Sequence, residues 1–292
     1  MAVYKLFPDK DSFIFTEVPT ANAGYDEMLE LGSYPVLDVG QTSRFLVHFS
    51  DNEITDVIDN KIGNTNFSAS LNVKIATAYE TPASHSAHAY PVFQYWDGGV
   101  GKYGDLPFDK SGCTWRYATA ENTNSWVLPH NSVSMSSGVT GSYNATYPGG
   151  GNYYTGSGGY NLHTSQSFET NDNLDLNIDV TNGTLLHYTG SIVNNGFLVK
   201  FDDRMEFSLT SSIKHKYYSG DTNTIYPPTL DIKWDDSSYV TGSLSVLSTT
   251  DAVINLTNNK GNYPDISKQR FRLLARPKYP TRTFTTSSIY KT

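Results

Sequence analysis

The chain has 292 residues, of which 38% are hydrophobic, 13% aromatic and only 17% charged, with a net charge of −8 and a pI near 5.3. Such a composition supplies a substantial core and a surface of Ser, Thr, Asn, Gly and Tyr. Its 21 basic residues, scattered along an acidic chain, argue against binding to nucleic acid, whose phosphates need clustered Lys and Arg. The single cysteine, Cys113, excludes an internal disulfide framework and a thiolate metal cluster within one chain. Length leaves two organisations open, one large all-β domain or a domain of about 200 residues with a smaller companion.

The opening MAVYKLFPDKDSF has no basic region followed by an apolar run, so no secretory signal is read there, and no stretch approaches a membrane span. Synthesis and assembly in the cytoplasm are expected, which makes the sequons at Asn66, Asn144, Asn182 and Asn255 products of composition. Alternation predicts strands at Phe13–Phe15, Leu29–Leu31, Ser43–Phe49 and Leu71–Tyr79. Ser84-His85-Ser86-Ala87-His88 reads as a loop, its histidines either a solvated pair or sharing a metal. A strand is read at Val92–Trp96. Gly99-Val100-Gly101-Lys102-Tyr103-Gly104 has the spacing of a dinucleotide fingerprint, but Asp105-Leu106-Pro107-Phe108-Asp109 follows where a helix is required, so it reads as a turn. Tyr90, Tyr95, Trp96, Tyr103, Trp115, Tyr117 and Trp126 crowd together, as sandwich core, as interface anchors or as a sugar-stacking face.

From Asn131 to Phe168 the sequence turns Ser/Gly/Tyr-rich, too poor in aliphatics for its own core. It reads as a linker, or as an ordered contact arm in an assembly or a glycan surface, presenting Tyr143, Tyr147, Tyr153, Tyr154 and Tyr160. Strands follow at Leu174–Val180, Gly196–Phe201, Met205–Thr210 and Leu230–Trp234, with one short helix at Thr181–Tyr188 that Gly183 weakens. Asp235-Asp236-Ser237-Ser238 marks a boundary. Beyond it, strands are read at Ser243–Ser248, Val253–Thr257 and Arg270–Ala275, and the last fifteen residues form a basic, Pro/Thr/Ser-rich arm.

Catalytic signatures are weak. No G-x-S-x-G elbow, Walker A loop or H-E-x-x-H pair occurs, and Asp9/Asp11, Asp202/Asp203 and Asp235/Asp236 read as solvated turns rather than a glycosidase pair. No catalytic or cofactor-binding residue is assigned, and the chain is expected not to be an enzyme.

The order of features resembles DNRLRE-type, disaggregatase-related β-sandwich modules, which are similar to carbohydrate-binding jelly rolls. The match runs through an aromatic-flanked strand at Asp11, Asn22-Ala23-Gly24, Leu29-Glu30-Leu31, Ser43 to Phe49, Leu71 to Tyr79, Trp96, Trp115, Asp179-Val180-Thr181 and Asn195-Gly196-Phe197. It spans roughly residues 5 to 234 and covers neither the insertion at about 131–168 nor the C-terminal segment. It implies that a structural Ca²⁺ is possible, held by Asp and backbone oxygens, with no ligand assigned. The whole chain, with its tail Arg276-Pro277-Lys278-Tyr279-Pro280-Thr281-Arg282-Thr283-Phe284-Thr285, also resembles virion structural proteins of large tailed bacteriophages. That resemblance implies a neck, tail or baseplate component, located in the virion and assembled in the host cytoplasm, without activity.

The expectation is therefore an all-β protein, with a jelly-roll-like β-sandwich over residues 1–235 and an extended β-rich segment over 236–292. Its expected partners are other virion proteins and copies of itself, with no nucleic acid and no membrane, through contact residues in the insertion and at Arg276, Lys278, Tyr279, Arg282 and Phe284. The alternative is an adhesion module that stacks host glycans on Trp96 and Trp126.

Overall fold

A computed structural model describes residues 2–36, 39–126, 139–141, 149–157, 159–206, 208, 211–236, 252–259, 261–263 and 268–278. Among the described residues strand accounts for 42% and helix for 11%, so the class is all-β. The first strands are β1 (Ala2–Leu6), β2 (Lys10–Phe15), β3 (Met28–Val36) and β4 (Val39–His48). Helix α1 (Asp51–Asp56) continues as a π-helical turn over Val57–Ile62, and β5 (Phe67–Val73), β6 (Ile75–Tyr79) and β7 (Ser84–Pro91) follow. Next come β8 (Val139–Gly141), β9 (Asn152–Tyr154), β10 (Gly156–Ser157), β11 (Tyr160–Asn161), β12 (Thr164–Glu169) and β13 (Leu176–Asp179). The remainder is α2 (Thr181–Tyr188), β14 (Phe197–Phe201), α3 (Asp203–Glu206), β15 (Ile213–Tyr218), β16 (Thr229–Trp234), β17 (Ala252–Leu256) and β18 (Leu273–Pro277). The chain divides into two compact units, Met1–Ser237 and Ser238–Thr292.

The first unit is sandwich-like. A four-stranded sheet in the order β1-β16-β5-β13 contributes Leu6, Leu71, Val73, Ile178, Leu230 and Ile232 to the core. A larger sheet in the order β12-β7-β14-β4-β3-β15-β6, with β2 also paired to β4, contributes Phe13, Phe15, Phe45, Val47, Phe197 and Phe201 to the same core. Alternation along each strand selects these residues, because successive side chains leave opposite faces of a sheet. Ile54, Val57 and Ile58 of the helical turns join the same core. The helix at α1 was not expected from the sequence. Ser50 occupies its N-cap and Asp51 and Glu53 its first turn, where negative charge complements the helix dipole.

Several strand expectations need correction. Leu71–Tyr79 is not one strand: the chain breaks at Lys74, with β5 in the small sheet and β6 in the large one. Asp175 holds this corner, accepting from Ile75 N at 2.9 Å and Lys74 Nζ at 2.7 Å. The stretch Val92–Trp96 is loop apart from a single bridge at Val92, and the strand lies earlier, where Ser84 to His88 was read as a loop. Met205–Thr210 is no strand where described, since Asp202 caps the short α3 by accepting from Met205 N at 3.0 Å. The Ser/Gly/Tyr-rich stretch also differs: residues 127–138 and 142–148 lie outside the described residues, but β9 is buried and β12 is an edge strand of the large sheet.

The outer face of the large sheet is covered too. Ile14, Leu46 and Leu198 pack there against Trp96, Cys113, Trp115, Trp126, Tyr90 and Tyr153. Gly149 makes this close approach possible. A Cβ at that position would stand 1.9 Å from Trp115 O, and its φ of +134° is one that side chains rarely adopt.

Candidate functional site

Four of the aromatic residues that the sequence singles out, Trp96, Trp126, Tyr153 and Tyr154, serve the interior. Trp96 is fully buried and donates Nε1–H to Asn195 O at 2.8 Å, while Trp126 is 3% exposed and donates to Thr114 O at 2.9 Å. Neither offers a ring face to a sugar, which corrects the glycan-stacking expectation. Tyr153 and Tyr154 are buried as well, Tyr153 against Tyr90 at 4.3 Å and Tyr154 against Phe93 at 5.2 Å, so they are not contact-arm residues. Tyr160 is exposed on β11, Arg276 is half-buried in β18, and Lys278 is exposed just beyond it. Tyr143, Tyr147, Tyr279, Arg282 and Phe284 lie outside the described residues.

Charged groups on the covered face form a closed network. Arg44 meets Glu206 through two bonds, Nε to Oε1 at 2.6 Å and Nη2 to Oε2 at 2.9 Å, and donates Nη1–H to Gly150 O at 2.5 Å. Lys200 joins the same Glu206 carboxylate at 2.9 Å and also pairs with Asp203. Burial opposes the charge on Arg44, but Glu206 outweighs it and holds the guanidinium above its ordinary range. Every member has a partner, so the network reads as structural.

His85 and His88 leave opposite faces of β7. His85 is buried, stacked on Phe168 at 5.1 Å and edge-on to His215 at 5.1 Å, whereas His88 Nδ1 lies 2.6 Å from Nε2 of the exposed His163. The two therefore do not share one metal. Among the described residues, no group of three or more His, Cys, Asp or Glu is placed to hold a metal ion. Asp11 is buried and accepts from Gly220 N at 2.5 Å, and burial pushes its carboxyl up to about 7. The glycine run is a turn, with Asn22 bonding Gly98 O at 2.7 Å and Gly101 N at 2.9 Å.

One open feature combines shape with chemistry. Beside the edge strand β6, a cleft of about 480 Å³ is lined by Glu17, Tyr34, Tyr79, Glu80, Tyr103 and Lys214, among others. Tyr34 comes from β3, and Tyr79 of β6 pairs in register with Lys214 of β15. Glu17 Oε2 accepts from the Tyr34 hydroxyl at 3.2 Å and the Tyr103 hydroxyl at 2.5 Å. Lys214 Nζ lies 4.8 Å above the Tyr34 ring and 3.0 Å from Glu30 Oε2. Burial, then the negative charge of Glu17, pushes both tyrosine hydroxyls above their ordinary range. The cleft is aromatic and anionic, a combination suited to cations.

The second unit presents a different surface. β17 and β18 form a two-stranded ribbon in which Ala252, Ile254 and Leu256 stand opposite Pro277, Ala275 and Leu273. Residues directly opposite share a face, so one face is wholly apolar, and it is open: Ile254 is 62% and Leu273 72% exposed. Arg276 falls on the other face, and Arg270 and Arg272 are exposed just before β18. Residues 238–292 hold eight Lys and Arg against two acids, a net of +6, so residues 1–237 carry −14 of the total −8. The basic residues are thus unevenly divided, which a reading of them as scattered missed.

No family model matches the chain, and no curated protein matches it in sequence.

Proposed function

We propose that the chain is a non-enzymatic structural component of a tailed-phage virion, working through contacts with copies of itself and with other virion proteins. The observation that carries this reading is the open apolar face of the β17–β18 ribbon. A two-stranded hairpin is at best marginally stable in water and needs a third strand or a packing surface to cover such a face. Subunit contacts would supply that cover, and repeated contacts around a symmetric particle would add affinity without any single strong site. The resemblance of the whole chain, tail included, to virion structural proteins supports the same reading.

Ile254→Lys with Leu273→Glu tests it. The double variant should keep the folded spectrum of the wild type, since the first unit has its own core, and should fail to enter virions. Incorporation at the wild-type level would refute the reading.

A further inference from the structure

We propose that the cleft of Glu17, Tyr34, Tyr79, Glu80 and Tyr103 receives a cationic side chain from the C-terminal unit of a second copy of this chain. The inference deepens the assembly reading and rests on it.

The chemistry of the cleft selects a cation. Two hydroxyls fix the Glu17 carboxylate, at 3.2 and 2.5 Å, Glu80 adds a second anion, and the exposed Tyr79 supplies a negative ring face. Lys214 places its ammonium 4.8 Å over Tyr34 and 3.0 Å from Glu30, so it occupies that ring and serves as a wall, which leaves the carboxylates and Tyr79 for an incoming cation. A guanidinium fits best, because its plane stacks on a tyrosine while its N–H fork meets a carboxylate.

The chain's own charge division names the source. Each copy carries an anionic body, −14 over residues 1–237, and a cationic C-terminal unit, +6 over 238–292. Two such units repel one another, as do two bodies, whereas the unit of one copy and the body of the next attract. Arg276 stands on the ribbon face opposite the apolar one, and Arg270 and Arg272 are exposed just before β18, so the unit offers guanidinium groups beside its apolar contact. A cleft on one copy joined to a ribbon on the next is a heterologous, head-to-tail contact, which builds rings or filaments.

The experiment measures self-association of the full chain by sedimentation, in low and high salt, for the wild type, Glu17→Gln, Tyr79→Ala, and Glu53→Gln as a control of equal charge change on α1. Tyr79 and Glu53 are exposed, so these changes spare the core. The expected result is association weakened about tenfold or more by Glu17→Gln, by Tyr79→Ala and by salt, and unchanged by Glu53→Gln. Arg272→Glu should weaken it too, and pairing Arg272→Glu with Glu17→Arg should restore part of the loss. Association that ignores the cleft substitutions would overturn this inference and leave the assembly reading standing. A wild type that stays monomeric at every concentration would overturn both. Association abolished by nuclease would overturn the inference by showing that the basic unit binds nucleic acid.

Discussion

His187 makes the stability of the first unit sensitive to acid. Its ring lies in α2, 5.4 Å from Phe197, and both ring nitrogens are buried without a hydrogen-bond partner. Burial, helped by the nearby charge of His48, pulls its pKa down to about 3. The native state thus keeps the ring neutral where the unfolded chain, with an ordinary histidine pKa, binds a proton. Stability is full above the unfolded pKa, falls as pH drops below about 6.5, and levels off only near the folded value. At about pH 4.5, two units below the unfolded pKa, the loss from this one residue is about 2.7 kcal/mol. His215, also near 3, and His88, near 4, add slopes of the same sign. Asp11, raised to about 7, adds the opposite sign, because its native carboxyl is protonated where the unfolded one has ionised. Comparing the wild type with His187→Leu cancels these shared contributions. Urea unfolding at about pH 7.5 and 4.5 should show the variant losing about 2.7 kcal/mol less than the wild type. Parallel losses in the two proteins would refute the assignment of a buried neutral ring.

Other consequences can be checked on the same purified chain. Glu206→Ala leaves Arg44 and Lys200 buried without their shared carboxylate and should cost about 3–5 kcal/mol in urea unfolding; a cost under about 1 kcal/mol would contradict the closed network. Trp96→Ala should cost about 3–5 kcal/mol through the cavity it opens, so a folded variant of wild-type stability would contradict its burial. Burial pushes the Cys113 thiol up to about 12, so a thiol reagent at neutral pH should react only as fast as the chain unfolds, and rapid labelling of the native protein would show the site to be open.

The all-β class was legible because alternation marks stretches such as Leu71-Asn72-Val73 of β5, and turn residues separate the strands. The covering of the large sheet on both faces was not recognised, although its signal lay in runs such as Phe45-Leu46-Val47 and Phe197-Leu198-Val199, apolar at consecutive positions. Reading only every second residue left Trp96 and Trp126 undecided between core and surface. Strand β7 escaped because Ser, Ala and His at 84–89 carry little strand preference, and its conformation is imposed by pairing with β12 and β14 on either side. Lys200 interrupts the apolar strand β14 and Arg44 adjoins the apolar run of β4, which signals a buried ion pair, but Glu206 lies 162 residues from Arg44 and no local pattern names it. The cleft could not be read from the chain either, since Glu17, Tyr34, Tyr79, Tyr103 and Lys214 come from five separate segments. The charge division between the two units was readable from counting alone.

The central claim is that this chain works by assembling, and its mass in solution tests that most directly. Light scattering of the purified full chain should give a concentration-dependent mass that exceeds the 32.3 kDa of one copy and returns to it when Ile254→Lys and Leu273→Glu are combined. A wild-type mass of one copy at every concentration and salt would contradict the account.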